Sequence, residues 1–161
     1  MNKRNGVIFS LLVAAILTGC GSNSQNTGDN HNAQLKEPNE KNGAPGVDES
    51  KGKGKFTEVK LNSPLDQNMV AMGKSITDVK CVACHKLTDE KLVGPGWKGV
   101  TTRRKPEWIM NFVTNTDEMI DKDAAAQALL EKCMVRMPNQ HLSDEEARSV
   151  LEYMFKLDGK N

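Results

Sequence analysis

Residues 81–85 read Cys81-Val82-Ala83-Cys84-His85, and the rest of the chain is legible once this pentapeptide is understood. Two thiols three positions apart, with an imidazole directly behind, are what covalent haem attachment requires. The thiols add across the two vinyl groups, and the histidine then falls beneath the iron as its proximal ligand. A zinc site would want a second ligand pair at metal spacing, and no second CxxC occurs. A thioredoxin-like CxxC would sit in a βαβ pattern, whereas the flanking sequence is helical in period. The expectation is one covalent haem c on Cys81 and Cys84, with His85 on the iron.

Working outward, four helical stretches can be read. Residues 66–80 place Met69, Met72, Gly73, Ile76 and Val79 near one side at spacings of three and four, with Asp66 as N-cap. That helix runs directly into Cys81. A second stretch opens at Pro106, where proline's missing donor costs little, and carries Trp108, Ile109, Phe112 and Val113 to about Asn115. Residues 122–134 align Ala126, Leu129, Leu130, Cys133 and Met134. The last helix starts at a capping box, Ser143 with Glu146, and lines up Ala147, Val150, Leu151, Met154 and Phe155. No segment reads as a strand with a partner. The fold class is all-α: about four helices around one covalently bound haem, preceded by a disordered tether. Gly73, inside a helix, costs roughly 1 kcal/mol relative to alanine, which points to close approach of another helix there.

The N-terminus bears on location. Lys3 and Arg4 precede an apolar run from Val7 to Leu17, followed by Thr18-Gly19-Cys20. This pattern is a signal peptide, too short to span a bilayer, which takes roughly 20 apolar residues. Leu17-Thr18-Gly19-Cys20 resembles a bacterial lipobox, so residues 1–19 are expected to be removed and Cys20 lipidated. Several acyl chains suffice for stable anchoring. The expected location is the periplasmic side of a bacterial membrane, which suits a chain that receives haem outside the cytoplasm. From Gly21 to about Lys60, Asn, Gly, Ser, Lys, Glu and Asp dominate, a composition that cannot offset its own ordering entropy. Residues 20–63 are therefore expected to be a lipid-anchored flexible linker spanning about 35 Å as a coil. Within it, Phe56 to Leu61 alternates apolar and polar residues, as an extended arm lying on the domain would. The folded domain is expected over 64–161.

Without residues 1–19 the chain carries 20 basic and 21 acidic side chains, a balance without the basic stripe that nucleic-acid binding demands. Lys98, Arg103, Arg104 and Lys105 form a local basic cluster, ordinarily a solvated face but also suited to haem propionates or an acidic partner. Of four cysteines, lipid takes one and haem two, leaving Cys133 as a single thiol, read as a small buried hydrophobe.

An iron held by one histidine needs a partner opposite, or it stays open to small ligands. The downstream candidates are Met110, Met119, Met134, Met137, His141 and Cys133. Methionines at helical spacing are mostly core filler, a description that fits Met134. Met137 precedes Pro138 in a loop ahead of the capping box, and a loop can aim a thioether across a pocket. The choice falls on Met137, with Met134 the alternative. Thioether ligation raises the reduction potential, and an iron with both axial positions filled suits outer-sphere electron transfer.

These residues resemble the class I cytochromes c over about residues 66–157. Gly73 stands eight residues before Cys81, as that family's helix-crossing glycine does. Val150-Leu151-Glu152-Tyr153-Met154 is similar to its closing helix, and the resemblance gives Tyr153 the packing role against that glycine. Gly94-Pro95 resembles the family's Gly-Pro, whose proline carbonyl accepts the Nδ1 proton of the haem histidine. This implies the same for Pro95 and a tuned ligand. Met137-Pro138 matches the distal Met-Pro of many bacterial members. Thr77 departs from the aromatic usual there, which implies a looser first-helix contact. Residues 85–109 and 135–147 also resemble lipoprotein monohaem cytochromes of respiratory gene clusters, some associated with nitrous oxide reductases.

The resemblance implies an electron carrier and not an enzyme. Single electrons would pass between respiratory redox proteins, with a terminal oxidase or a periplasmic reductase such as nitrous oxide reductase as the expected acceptor. The competing readings are a haem peroxidase or a gas-binding sensor with a displaceable Met ligand. Dihaem peroxidases need two CxxCH motifs, and this chain has one. Cytochrome c′-type sensors carry the motif near the chain end, whereas 76 residues follow His85 here.

Overall fold

The computed structural model describes residues 49–161; the expected signal segment, Cys20 and the linker up to residue 48 lie outside the described residues. Six helices follow in order: α1 Gln67–Lys80, α2 Val100–Arg103, α3 Pro106–Thr114, α4 Thr116–Lys122, α5 Ala124–Cys133 and α6 Asp144–Leu157. Among the described residues there is no strand, so the all-α expectation holds. None of these helices is long and apolar enough to cross a membrane.

α1 and α6 form the frame. Asp66 caps α1, its carboxylate accepting from the N–H groups of Asn68 (2.8 Å) and Met69 (3.1 Å). Ser143 and Glu146 close the expected capping box on α6, with Ser143 N–H donating to Glu146 at 2.8 Å and Glu146 N–H to Ser143 Oγ at 3.2 Å. Ser143→Ala should cost about 1 kcal/mol of stability, read as a lowered midpoint in urea. Where the two helices cross, Gly73 is buried, and a Cβ built on it would overlap the Ser149 carbonyl and stand 2.9 Å from Tyr153 Cβ.

That close crossing explains why the apolar stripe expected on α1 is only partly inward. Gly73 and Thr77 are the buried residues, while Met72 and Val79 are 53% and 80% exposed. Small side chains bring the backbones together, and the larger ones flank the contact. Thr77, expected to loosen the packing, is fully buried, and its Oγ1 has no hydrogen-bond partner.

α6 buries all five expected residues and also Ser149, Glu152 and Tyr153, because it is sandwiched between α1 and α3. The Glu152 carboxylate is wholly buried and correspondingly well held. It accepts from Asp66 N–H (2.8 Å), Asn62 Nδ2 (3.1 Å) and the Arg148 guanidinium one turn back. A buried charge persists only when paired and hydrogen-bonded in this way.

Six helices replace the four expected. α2 is too short for a period to show in sequence. The stretch read as 122–134 begins instead at Ala124, since Asp123 is extended and acts as N-cap, accepting from Ala126 N–H at 2.8 Å. Met134, read as core filler, is 85% exposed. It ends α5 in the left-handed conformation (φ 57°), which turns its side chain outward.

Of the residues expected to be linker, 49–63 are packed on the domain instead. Residues 49–63 are an ordered arm that begins with a 3-10 turn, Glu49–Lys51, and partly buries Phe56 and Val59 against the core. Its carbonyls and N–H groups are bonded to the domain. The buried Asn111 amide donates to the carbonyls of Lys51 (3.1 Å) and Phe56 (3.0 Å) and accepts from Phe56 N–H (2.9 Å). Glu107 accepts from Val59 N–H at 3.2 Å. Composition alone misses this, because the holding groups belong to α3, some 50 residues away in sequence.

Candidate haem site

The CxxCH segment continues α1 as a tight turn. Cys81 is its C-cap and donates to Thr77 O at 2.9 Å, while Cys84 and His85 N–H groups donate to Cys81 O at 3.1 and 2.9 Å. Cys81 and Cys84 are both free thiols, the first buried and the second half-buried. Burial pushes the Cys81 thiol up to about 11, opposed by the neighbouring Lys80 charge.

His85 follows with its ring orientation set from outside. Its Nδ1 lies 2.9 Å from Pro95 O, the contact that the family resemblance implied. Burial lowers the imidazole pKa, against the opposing pull of the Pro95 carbonyl, so the ring is held neutral. Neutral imidazole is the form that binds metal, and Nδ1–H engaged with a carbonyl leaves Nε2 as the ligating atom. Gly94 is required beside it: its N–H donates to Cys84 O at 2.9 Å, and a Cβ there would lie 2.8 Å from both His85 nitrogens. Trp97 packs against the ring at 5.8 Å between centroids.

A cavity of about 420 Å³ opens in front of His85. Cys84, His85, Gly94 and Pro95 line it, and so do Met137 and Pro138. The wall also includes Val100, Trp108, Ile109, Phe112, Val113, Ile120, Leu129, Leu130 and Met154. Met134 is not in the wall; Cys133 is, half-buried rather than fully enclosed. The structure thus gathers Cys84, His85, Pro95 and Met137 at one space, with Cys81 adjoining at the end of α1. A mostly apolar cleft, two free thiols at one edge and a neutral imidazole with an available Nε2 fit a covalently attached haem.

The basic cluster divides. Arg103 and Arg104 line the cavity, whereas Lys98 and Lys105 are exposed and do not. Arg103 donates to Gly96 O (2.9 Å) and Lys98 O (2.5 Å), and the Arg104 guanidinium lies 4.7 Å over the Trp108 ring. Trp108 itself stacks on Phe112 at 4.9 Å and donates from Nε1 to Asp123 at 3.0 Å. Sequence reasoning gave Trp108 only a place in a helix stripe and gave Asp123 no role. A tryptophan on an otherwise wholly apolar face, needing a partner for its N–H, was the available signal.

The sequence pattern of the cytochrome c family matches residues 70–158. Among solved structures, a cytochrome c from Rhodothermus marinus is 33% identical, with a TM-score of 0.64 over 66% of this chain and 90% of that one. An engineered form of the Rhodothermus marinus protein is 32% identical, with a TM-score of 0.63 over 66% and 92% of the two chains. The same engineered protein bound to a carbene intermediate gives 32% and 0.60 over 66% and 92%. The sequence matches none of the curated proteins with which it was compared. With the CxxCH turn, the Pro95-bound histidine and the cavity before it, the chain belongs to the cytochrome c family, whose members carry covalent haem c and transfer electrons.

Proposed function

We propose that this protein is a membrane-tethered monohaem carrier in which His85 and Met137 would hold the haem iron. The observation that carries the reading is the position of Met137, half-buried in the wall of the cavity that His85 lines, while Met134 points to solvent. When bound, haem supplies one-electron exchange between Fe(III) and Fe(II). The chain's own residues keep the imidazole neutral and oriented, exclude water with an apolar wall, and present a thioether from the loop after α5. With both positions filled there is no vacancy for peroxide or gas, so the carrier reading is preferred to a peroxidase or sensor.

The redox partners proposed are respiratory proteins on the outer face of a bacterial membrane, a terminal oxidase or a periplasmic reductase such as nitrous oxide reductase being the acceptor. Lipidated Cys20 would hold the domain there. The signal-like run before Cys20 and the polar composition of residues 21–48 support this. Carbene chemistry belongs to the engineered Rhodothermus marinus protein and is not proposed for this chain.

Two measurements test the reading. The ferric holoprotein should be low-spin, with the weak long-wavelength band of thioether ligation, and should bind carbon monoxide slowly once reduced; a high-spin ferric spectrum would favour the enzyme or sensor. Cys20→Ala should release the protein from the membrane fraction or block its processing. Undiminished membrane retention of that variant would overturn lipid anchoring.

A further inference from the structure

We propose that the arm, residues 49–60, holds the Met137 loop in place through α4, which makes Met119 and Arg136 positioning residues for the distal side of the cavity. The inference rests on the reading of Met137 as the iron ligand.

α4 is seven residues long and is gripped on two sides. On its inner side Met119 is fully buried, and its Sδ accepts from Lys53 N–H of the arm at 3.0 Å. Gly52, in the left-handed region at φ 75°, lies flat on the same side chain. A Cβ there would stand 2.7 Å from Met119 Cε and 3.0 Å from Trp108 Cδ1, so only glycine lets the arm seat. The three bonds from Asn111 hold the arm down on either side of this contact.

On its outer side α4 presents Asp117 and Asp121, four residues apart and so on one helical face. Both take the Arg136 guanidinium, at 3.1 and 2.9 Å from Nη2. Arg136 is the residue before Met137. The loop around it is under backbone strain: Met134 (φ 57°) and His141 (φ 51°) both occupy a region that side-chain-bearing residues avoid. Such a loop keeps its shape only when held from outside. Lys80 holds its far end through Gln140 O at 3.2 Å, and Arg136 holds the end nearest the thioether. A short hydrogen-bonded helix moves as one piece, so what the arm does at Met119 is felt at Asp117 and Asp121. The segment leading from the expected membrane tether and the proposed iron ligand therefore share one lever. Coupling of this kind is reciprocal: displacing the ligand should loosen the arm as much as freeing the arm loosens the ligand.

The test uses the full-length holoprotein with its haem content verified. Gly52→Val unseats the arm, and Asn111→Ala does so independently. Trypsin, cutting at Lys51, Lys53, Lys55 or Lys60, reports arm release, expected to rise about tenfold in either variant. The expected result is that cyanide association with the ferric iron also rises several-fold in both. Arg136→Ala should speed cyanide binding too, and Gly52→Val with Arg136→Ala should be no faster than the quicker single variant, because both break one chain of contacts. Three outcomes overturn the proposal: an arm that stays protected in both variants, an arm released with cyanide rates unchanged, or effects that multiply in the double variant. Met137→Ala separates this from the ligand reading. If it leaves the thioether band intact, the ligand assignment fails; if it abolishes the band while the arm variants leave cyanide binding unchanged, only the coupling fails.

Discussion

Met137→Ala should leave haem attached, abolish the thioether band, and lower the reduction potential by a sizeable part of the roughly 0.8 V that axial ligands span. The proposed attachment residues, Cys81 and Cys84, belong to the turn after α1 and are covalently independent of the loop after α5. Thioether sulfur stabilises the electron-rich ferrous state, and water or hydroxide in its place favours ferric iron. The same variant should bind carbon monoxide and cyanide rapidly, since the iron would lack the thioether proposed to hold it. Redox titration and stopped-flow ligand binding check both parts. Met134→Ala is the control: with that side chain 85% exposed, it should leave potential and rates near wild type. If Met134→Ala produces the loss and Met137→Ala does not, the ligand has been misassigned.

Gly73→Val should be the most destabilising single change in the frame, roughly 3 kcal/mol or more, lowering the melting temperature by on the order of 15 °C. Two effects compete at this position. A side chain relieves the helix-propensity penalty of glycine, worth about 1 kcal/mol. Against that, a Cβ would overlap the Ser149 carbonyl, which is backbone of α6 and cannot rotate away. The clash wins, so even Gly73→Ala should lose stability despite its better propensity. Thermal melts of the two variants check the order, valine worse than alanine worse than wild type. An alanine variant that melts higher than wild type would show that the crossing has slack.

The two variants probe parts of the protein that were not equally legible. The attachment turn and its histidine were readable because the chemistry is local: thiol, thiol and imidazole within five consecutive residues. The capping boundaries of α1 and α6 were readable for the same reason, since a cap is satisfied within three residues. Gly73 was readable because a helix interior penalises glycine unless something compensates.

Other features were hidden. α4 went unread and α5 was read from residue 122, two residues early, so the break at Asp123 did not show. The break exists because Asp123 also receives Trp108 Nε1 from a different helix. Met134 looked like core by spacing, yet it occupies a helix-ending left-handed position that spacing does not report. Of the arm, Phe56 to Leu61 was legible from its alternation, but residues 49–55 looked like polar linker, because the groups that hold them, such as Asn111, lie far along the chain.

By itself, then, the sequence determined the CxxCH motif that implies covalent haem, the all-helical class and the two helices that cross at Gly73, because each depends on residues within a turn or two of one another. Only the tertiary structure decided whether Met134 or Met137 lines the cavity, what α1 buries and that residues 49–55 pack on the domain. Those outcomes depend on which distant groups satisfy a buried amide, carboxylate or indole, and on where chain reversals point the side chains between them.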